Sequence, residues 1–527
     1  MTNSVSELED ADCIFIIGSN TTSSHPIVAT RIFRAKKKGA KVLVADPRKI
    51  QIGRIADVEV QQNLGTDVAL LNGMMQYILE NGWQDQAFID ERTEGFEEFR
   101  QTVSEYTPEK VSEITGIPAE DIKAMAEMYA KADKASIVYC MGITQHTTGV
   151  DNVKSLANLA LLTGNLGKPS TGVNPLRGQN NVQGACDMGG LPNVFPAYQQ
   201  VANEEAVAKF AKAWGTDKLS NKPGLTIPEL MQGFEQGTVK GLFVLGENPV
   251  VSDPDAGHIK KALEKAELLV VQDIFLTDTA KMADVVLPGA SFAEKDGTFT
   301  NTERRVMRVR KAIEPVGQAR ADWEIIQDIA NRFGFSMSYS SPQEIMEEIA
   351  QVTPSYGGIT YDRLEGDGLQ WPCPNAEHPG TPYLHQGKFT RGKGQFHAVE
   401  FRPPAESVDQ DYPFWLTTGR VFSHYHTGTM TRISPALNNE ASEGYVELNP
   451  QDAAELGIKE GDKVSVSSRR GEVQANAHLT ENMRPGTVFM TFHFVESNAN
   501  LLTNPALDPI AKIPEYKVCA VKLAKAS

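Results

Sequence analysis

The chain has 527 residues, 41% hydrophobic and 22% charged, and its 51 basic against 67 acidic side chains leave a formal charge of −16. That is a globular composition with room for about three or four domains, and it is too acidic for a nucleic-acid or anionic-membrane surface. No window approaches the roughly 18 consecutive apolar residues of a membrane span, and the five cysteines (Cys13, Cys140, Cys186, Cys373 and Cys519) form no CxxC pair, so they read as reduced, buried thiols.

Acidic residues precede the first apolar run, which argues against a secretory or mitochondrial signal. Residues 12–18 form a short apolar run ending in Gly18, the pattern of a buried parallel strand. Helical spacing follows over His25 to Lys38, with Gly39 as its stop, and residues 41–45 form a second strand running into Asp46-Pro47-Arg48. This is a βαβ unit with an expected right-handed crossover, and a third short segment spans residues 55–60.

The arrangement recurs later in the chain. Gly241 to Asn248 matches the first strand and its Gly-x-Asn turn, Leu268 to Asp273 matches the strand ending at Asp46, and Ala283-Asp284-Val285 matches Ala56-Asp57-Val58. Gly18 lies 28 residues before Asp46 and Gly246 lies 27 before Asp273, while both following Asp-to-Asp intervals are 11. In such a half, the turn after the first strand offers backbone N–H groups to phosphate, and the acid after the second strand reaches a nucleoside. Neither turn is a GxGxxG or a Lys-bearing P-loop. Either copy alone is equally consistent with plain α/β turn chemistry, with Asp46 as a helix cap. Two copies in register favour a ligand with two nucleotide-like arms.

Residues 163–190 are dense in Gly, Asn and Gln around a single arginine, Arg177. A long loop of this kind is usually functional: amides read the edges of a polar cofactor, and an arginine clamps a planar anion bidentately. The competing reading is a surface loop with a solvated arginine. His424-Tyr425-His426 suggests a metal, but no third ligand is evident, which favours a structural or cofactor-bonding role. The cluster Arg304, Arg305, Arg308 and Arg310 reads first as a solvated face and second as a phosphate site. Residues 352–405, rich in Pro, Gly and His, read as a linker over the surface. Beyond it, strand patterns at 412–418, 464–468 and 488–492 and a short capped helix over 448–457 indicate a separate β-rich domain.

Together these motifs resemble the molybdopterin guanine dinucleotide oxidoreductases, most closely the catalytic subunit of formate dehydrogenase. Residues 172–189 resemble the family's signature almost letter for letter, and Ser24-His25-Pro26, Asp46-Pro47-Arg48, Gly246-Glu247-Asn248-Pro249, Gln272-Asp273 and Pro514-Glu515-Tyr516-Lys517 match as well. The resemblance covers nearly the whole chain. It implies an α/β fold of two interleaved Rossmann-like dinucleotide-binding domains (1–180 and 181–385), a linker (386–410) and a C-terminal β-barrel domain (411–527). The implied cofactor is bis-molybdopterin guanine dinucleotide with Mo or W, and the implied reaction is oxidation of formate to CO2.

The resemblance also implies roles. Arg177 would orient formate beside the metal. Met141, Gly142, Gln145, Gln179, Arg420, His424 and Tyr425 would line the two pterins. Gly18, Asn20, Ser23, Ser24, Asp46, Arg48, Gly65 and Asp67 would hold one dinucleotide arm, and Gly246, Asn248, Gln272, Asp273 and Asp322 the other, with Tyr516 and Lys517 closing over the cofactor.

One departure is large. The family's members begin with a four-cysteine [4Fe–4S] domain and a Cys or selenocysteine metal ligand, and neither pattern is present in this sequence. A selenocysteine codon read as a stop, with translation assigned to the next methionine, accounts for such a chain; an upstream frame without that codon or a Cys codon sinks the idea. The implied partners are that N-terminal iron–sulfur domain and an iron–sulfur electron-transfer, hydrogenase or diaphorase subunit, with no nucleic acid and no direct membrane insertion, in the cytoplasm or, with a leader, the periplasm. Two rival readings are a nitrate reductase-like sister enzyme and a cofactor-binding fragment inactive without its N-terminal partner.

Overall fold

The computed structural model describes residues 1–526. They form two compact units, one of Met1–Gly178, Val251–Gly257 and Tyr383–Ser527, the other of Gln179–Val250 and His258–Pro382. No helix of the described residues is long and apolar enough to cross a membrane.

The first unit contains five parallel strands in the order Val58–Val60, Lys41–Ala45, Cys13–Ile17, Ala135–Tyr139, Gly172–Pro175. Strand side chains alternate between faces, and the central strand feeds two cores. Cys13, Phe15 and Ile17 enter one core with helices Asp67–Glu80, Ala119–Ala130 and Gly149–Leu162. Ile14 and Ile16 enter the other with Val28, Ala29, Ile32 and Ala35 of helix Pro26–Lys37. Burial on both faces explains why these strands read as continuous apolar runs. Pro26 opens its helix where a missing N–H costs nothing.

The same unit holds a closed six-stranded barrel in the order Phe414–Gly419, Thr487–Thr491, Tyr445–Leu448, Glu472–Leu479, Lys463–Ser467, Cys519–Lys525. Its interior is filled by Leu416, Val446, Leu448, Val464, Val466, Val488, Met490 and Val521. The helix Pro450–Glu455 is capped by the Asn449 side chain, which accepts from the Gln451 N–H.

The second unit carries three parallel strands, Gly241–Leu245, Leu268–Asp273 and Val285–Pro288, in the same relative order as their counterparts in the first. The repeat seen in the sequence is reproduced hydrogen bond for hydrogen bond. Asp57 and Asp284 each accept a backbone N–H, from Val42 and Leu269, at the second residue of the middle strand. The N–H of Gly18 donates to Ala45 O and that of Gly246 to Gln272 O. Asp46 and Asp273 each accept from the N–H two residues on. The two sheets differ in cover. Val244, Leu269 and Val271 are buried, but the opposite face leaves Phe243 43%, Leu245 44%, Leu268 49% and Val285 43% exposed.

The stretch 352–405, expected to be a surface linker, is substantially core. Tyr356, Ile359, Tyr361, Leu364 and Cys373 form a buried cluster in the second unit, and Phe389 and Phe396 join the larger core of the first. Pro and Gly mark turns whether or not the residues between them are buried, and the aromatic anchors here follow no period.

Candidate functional site

The first unit's sheet reverses its order between Cys13–Ile17 and Ala135–Tyr139. The chain leaves the first strand toward Lys41–Ala45 through a helix on one face, and leaves the second toward Gly172–Pro175 through a helix on the other. A crevice forms beyond the carboxyl ends of strands at such a switch point. Two glycines shape it. The Gly142 N–H donates to Gly18 O at 3.1 Å, a Cβ on Gly18 would lie 2.8 Å from the Gly142 carbonyl carbon, and one on Gly142 would lie 2.6 Å from the Gly18 Cα. Gly18 also has φ +56°, which any side chain would strain.

The crevice deepens into a cleft of about 110 Å³ whose walls bring together eleven of the residues singled out in the sequence: Gly18, Asn20, Ser24, Asp46, Arg48, Gly65, Asp67, Met141, Gly142, Arg420 and Lys517. Three of these are cations held by named partners. Arg48 Nη2 donates to both carboxylate oxygens of Glu447, at 3.1 and 2.8 Å, and its guanidinium lies 3.4 Å above the Phe489 ring. Arg420 Nη1 donates to Gly178 O at 2.9 Å. Lys517 Nζ donates to Thr418 O at 2.6 Å, and burial lowers its pKa to about 8. Arg177 lies on the loop after Gly172–Pro175, and its carbonyl accepts from His25 Nε2 at 2.7 Å.

Two carboxylates balance the cations. Burial raises both Asp46 and Asp67 to about 6, against the partial offset of the Arg48 N–H and the Gln62 side chain respectively. Each binds its proton more tightly folded than unfolded, so each contributes stability that is full below pH 4 and lost as pH climbs to 6. We expect Asp46→Asn and Asp67→Asn to remove that component from the cofactor-free protein. Urea unfolding should show the variants gaining on the parent between pH 4 and 6; parallel pH profiles would refute the assignment.

Other predicted residues sit differently. The Tyr516 carbonyl accepts from Thr418 Oγ1 and the Gln145 carbonyl from the Lys517 N–H, so both belong to the strap holding Lys517. His424 is turned inward, Nδ1 against Thr431 Oγ1 and Nε2 against Ala441 O, and the Tyr425 N–H donates to Thr431 Oγ1. The Ser23 N–H donates to Asn20 O within its own turn. Among the described residues, no group of three His, Cys, Asp or Glu could hold a metal ion.

In the second unit, Gln272 Nε2 donates to Asp322 Oδ1 at 2.7 Å, Lys295 pairs with Asp322, and burial raises the pKa of Asp273. Asn248 Oδ1 accepts from the Thr279 N–H and hydroxyl, which fixes the turn after Gly246. Gln179 also belongs to this unit. Nearby in sequence, the buried Asp187 carboxylate accepts four donors, Gln183 Nε2 at 2.8 Å, Tyr198 OH at 2.8 Å, Tyr356 OH at 2.6 Å and Trp371 Nε1 at 2.7 Å.

Sequence reasoning missed Gln62, His146, Glu447, Phe489 and Phe492 around the cleft, and gave His25 and Cys140 no part in it. His25 stood inside a quoted motif, and His146 beside Gln145; nothing local marks Glu447, which reaches Arg48 across 399 positions. The Cys140 thiol donates to Leu176 O, and burial raises its pKa, the state of an unreactive thiol.

Known proteins match this chain along its length. Residues 1–332 match the family model "Molybdopterin oxidoreductase", and residues 414–520 match "Molydopterin dinucleotide binding domain". The chain is 55% identical over 531 residues to "F420-dependent formate dehydrogenase 1 subunit alpha" of Methanococcus maripaludis, covering 100% of this chain and 78% of that protein. It is 44% identical over 529 residues to "Formate dehydrogenase H" of Escherichia coli, covering 99% of this chain and 74% of that protein. Among solved structures, acetylene hydratase from Pelobacter acetylenicus superposes with a TM-score of 0.79 at 20% identity, covering 99% and 81% of the two chains, a likeness of fold.

Proposed function

Because the chain belongs to the molybdopterin oxidoreductase family, we propose that it is the catalytic subunit of a formate dehydrogenase, with one molybdopterin guanine dinucleotide at each of the two residue sets described above. The residues present fit such a group. His25 Nδ1, Arg48 Nε, Gln62 Oε1, His146 Nδ1 and Arg420 Nη2 are polar atoms sealed from solvent without a protein partner, and all five residues line the one cleft. Leaving so many donors and acceptors unsatisfied is costly unless a polar ligand meets them. That clustering is the observation that carries the reading, and identity to formate dehydrogenase alpha subunits supplies the substrate.

Arg420 and Lys517 attract a diphosphate, Arg48 being paired with Glu447, the turn after Cys13–Ile17 offers it backbone N–H groups, and Asp46 and Asp67 accept hydrogen bonds from a nucleoside. The second sheet offers Gly246, Gln272, Asp273 and Asp322 for the other arm. In this reading both sheets are Rossmann-like halves. When bound, the metal–dithiolene group takes up the two electrons released as formate becomes CO2 and a proton. Arg177 contributes orientation and charge neutralisation of the carboxylate. An iron–sulfur centre in a further domain would supply the outlet for those electrons toward a partner subunit. A sparse set of thiols supports a reducing, cytoplasmic setting.

The test is formate-dependent reduction of a viologen dye by the protein purified from its native host, alongside metal and pterin analysis. Formate turnover with Mo or W and pterin bound is expected. Turnover of nitrate in place of formate would overturn the substrate, and protein lacking pterin would overturn the cofactor.

A further inference from the structure

The loop that leaves strand Phe414–Gly419 carries Arg420, His424 and Tyr425, and what holds this loop comes from a distant part of the chain. His493 follows strand Thr487–Thr491, the parallel neighbour of Phe414–Gly419 in the barrel, and is fully buried. The Val421 N–H donates to His493 Nε2 at 3.0 Å, so that nitrogen carries no proton. The proton therefore sits on Nδ1, which donates to the His426 carbonyl. One imidazole thus grips both ends of the turn 421–426.

Three further observations show the loop seated on this residue. His426 has φ +48°, a left-handed conformation unusual for a side chain other than glycine, and its carbonyl is the one His493 holds. A Cβ on Gly428 (φ +73°) would lie 2.8 Å from the His493 carbonyl oxygen. The Phe492 N–H donates to Gly419 O at 3.3 Å, and the Phe492 ring lies 5.7 Å from the Arg420 guanidinium. At the front of the loop, Arg420 donates to the carbonyl of Gly178, the residue after Arg177.

We infer that His493 is the positioning residue of the 420–428 loop, fixing Arg420 and, through the Gly178 carbonyl, the main chain beside Arg177. The inference rests on the reading of Arg177 as the clamp for formate. A histidine suits the task because one ring supplies a donor and an acceptor on different edges. Burial, with Arg420, His424 and His426 around it, lowers the His493 pKa to about 3, which keeps the ring neutral and both bonds in place. A second histidine-like grip is absent from Asn, whose amide reaches only the Nδ1 position.

The test uses the loaded enzyme with His493→Ala and His493→Asn, each alone and combined with Arg177→Ala. In the parent background His493→Ala should lower formate kcat/KM per bound metal roughly tenfold, the scale of a small misplacement of a positioned group. In the Arg177→Ala background it should change kcat/KM by less than about twofold, because both act through one clamp. Metal and pterin content per chain should fall at least about twofold in His493→Ala and recover part-way in His493→Asn. A merely structural role would lower the melting temperature, leave turnover per bound metal unchanged, and make the two substitutions multiply; that outcome overturns the inference. If His493→Ala does not fold, His493→Asn carries the same comparison. Amide exchange over residues 420–428 separates the two levels: if the parent never oxidises formate, the function fails, yet exchange must still quicken in the His493 variants, and unchanged exchange overturns the inference itself.

Discussion

Arg177→Ala is expected to lower kcat/KM for formate about a thousandfold, the upper range for removing one preorganised charge donor from a water-poor site. The Arg177 main chain is fixed from two sides, by His25 on its own carbonyl and by Arg420 on the next. The substitution therefore removes the guanidinium without freeing the loop, and metal and pterin content should stay at the parent level. Arg177→Lys should recover only part of the loss, since an ammonium supplies the charge without the bidentate fork. Free guanidinium added to the alanine variant should raise its rate. Steady-state kinetics normalised to bound metal give the answer, and parent-like kinetics in Arg177→Ala would remove the residue from the mechanism.

Asp187→Ala should cost roughly 4 kcal/mol of stability, the scale for removing one side of a buried polar network and stranding its donors. The carboxylate is 1% exposed and is met by an amide, two phenols and an indole from four separate segments of the second unit. Such a loss is a large fraction of a typical domain's stability of about 5–15 kcal/mol, so poor soluble yield and a lowered urea midpoint are expected together. Asp187→Asn keeps the shape and one acceptor oxygen and should lose about half as much. Equal midpoints for the alanine variant and the parent would show that the network is not a keystone of the unit.

What could be read from the sequence was what recurs at short range. The two Gly-to-Asp intervals and the 11-residue Asp spacing correspond to the same hydrogen bonds in both sheets, because Asp57 and Asp284 each accept an amide of the middle strand and Asp46 and Asp273 each accept one from the turn that follows it. Apolar runs gave the strands, and alternation at 464–468 gave a barrel strand with Val464 and Val466 inward. What escaped was fixed at long range. Arg48 and Glu447 meet only after the barrel forms, His493 reaches back across 72 positions to Val421, and Phe389 and Phe396 enter a core built mainly from the first 166 residues. None of these pairs leaves a periodic trace. The functional loop shows the same limit: its letters mark Arg177, but the carbonyls that hold it answer to His25 and Arg420.

The cleft takes its walls from residues 18–67, 140–146, 417–420, 489–492 and 517, so segments far apart along the chain meet in it. While the ribosome is still adding residues beyond 382, the second unit has all its sequence but the first has only its opening half and one short return segment. That half must wait with Phe88 and Phe99 not yet covered by Phe389 and Phe396, or be shielded by a chaperone. The cleft is therefore complete only once residue 517 has joined the fold, and a large polar group cannot be fully enclosed before then. Whatever loads the group must meet walls that residues 18 and 517 have already closed together, rather than an open half.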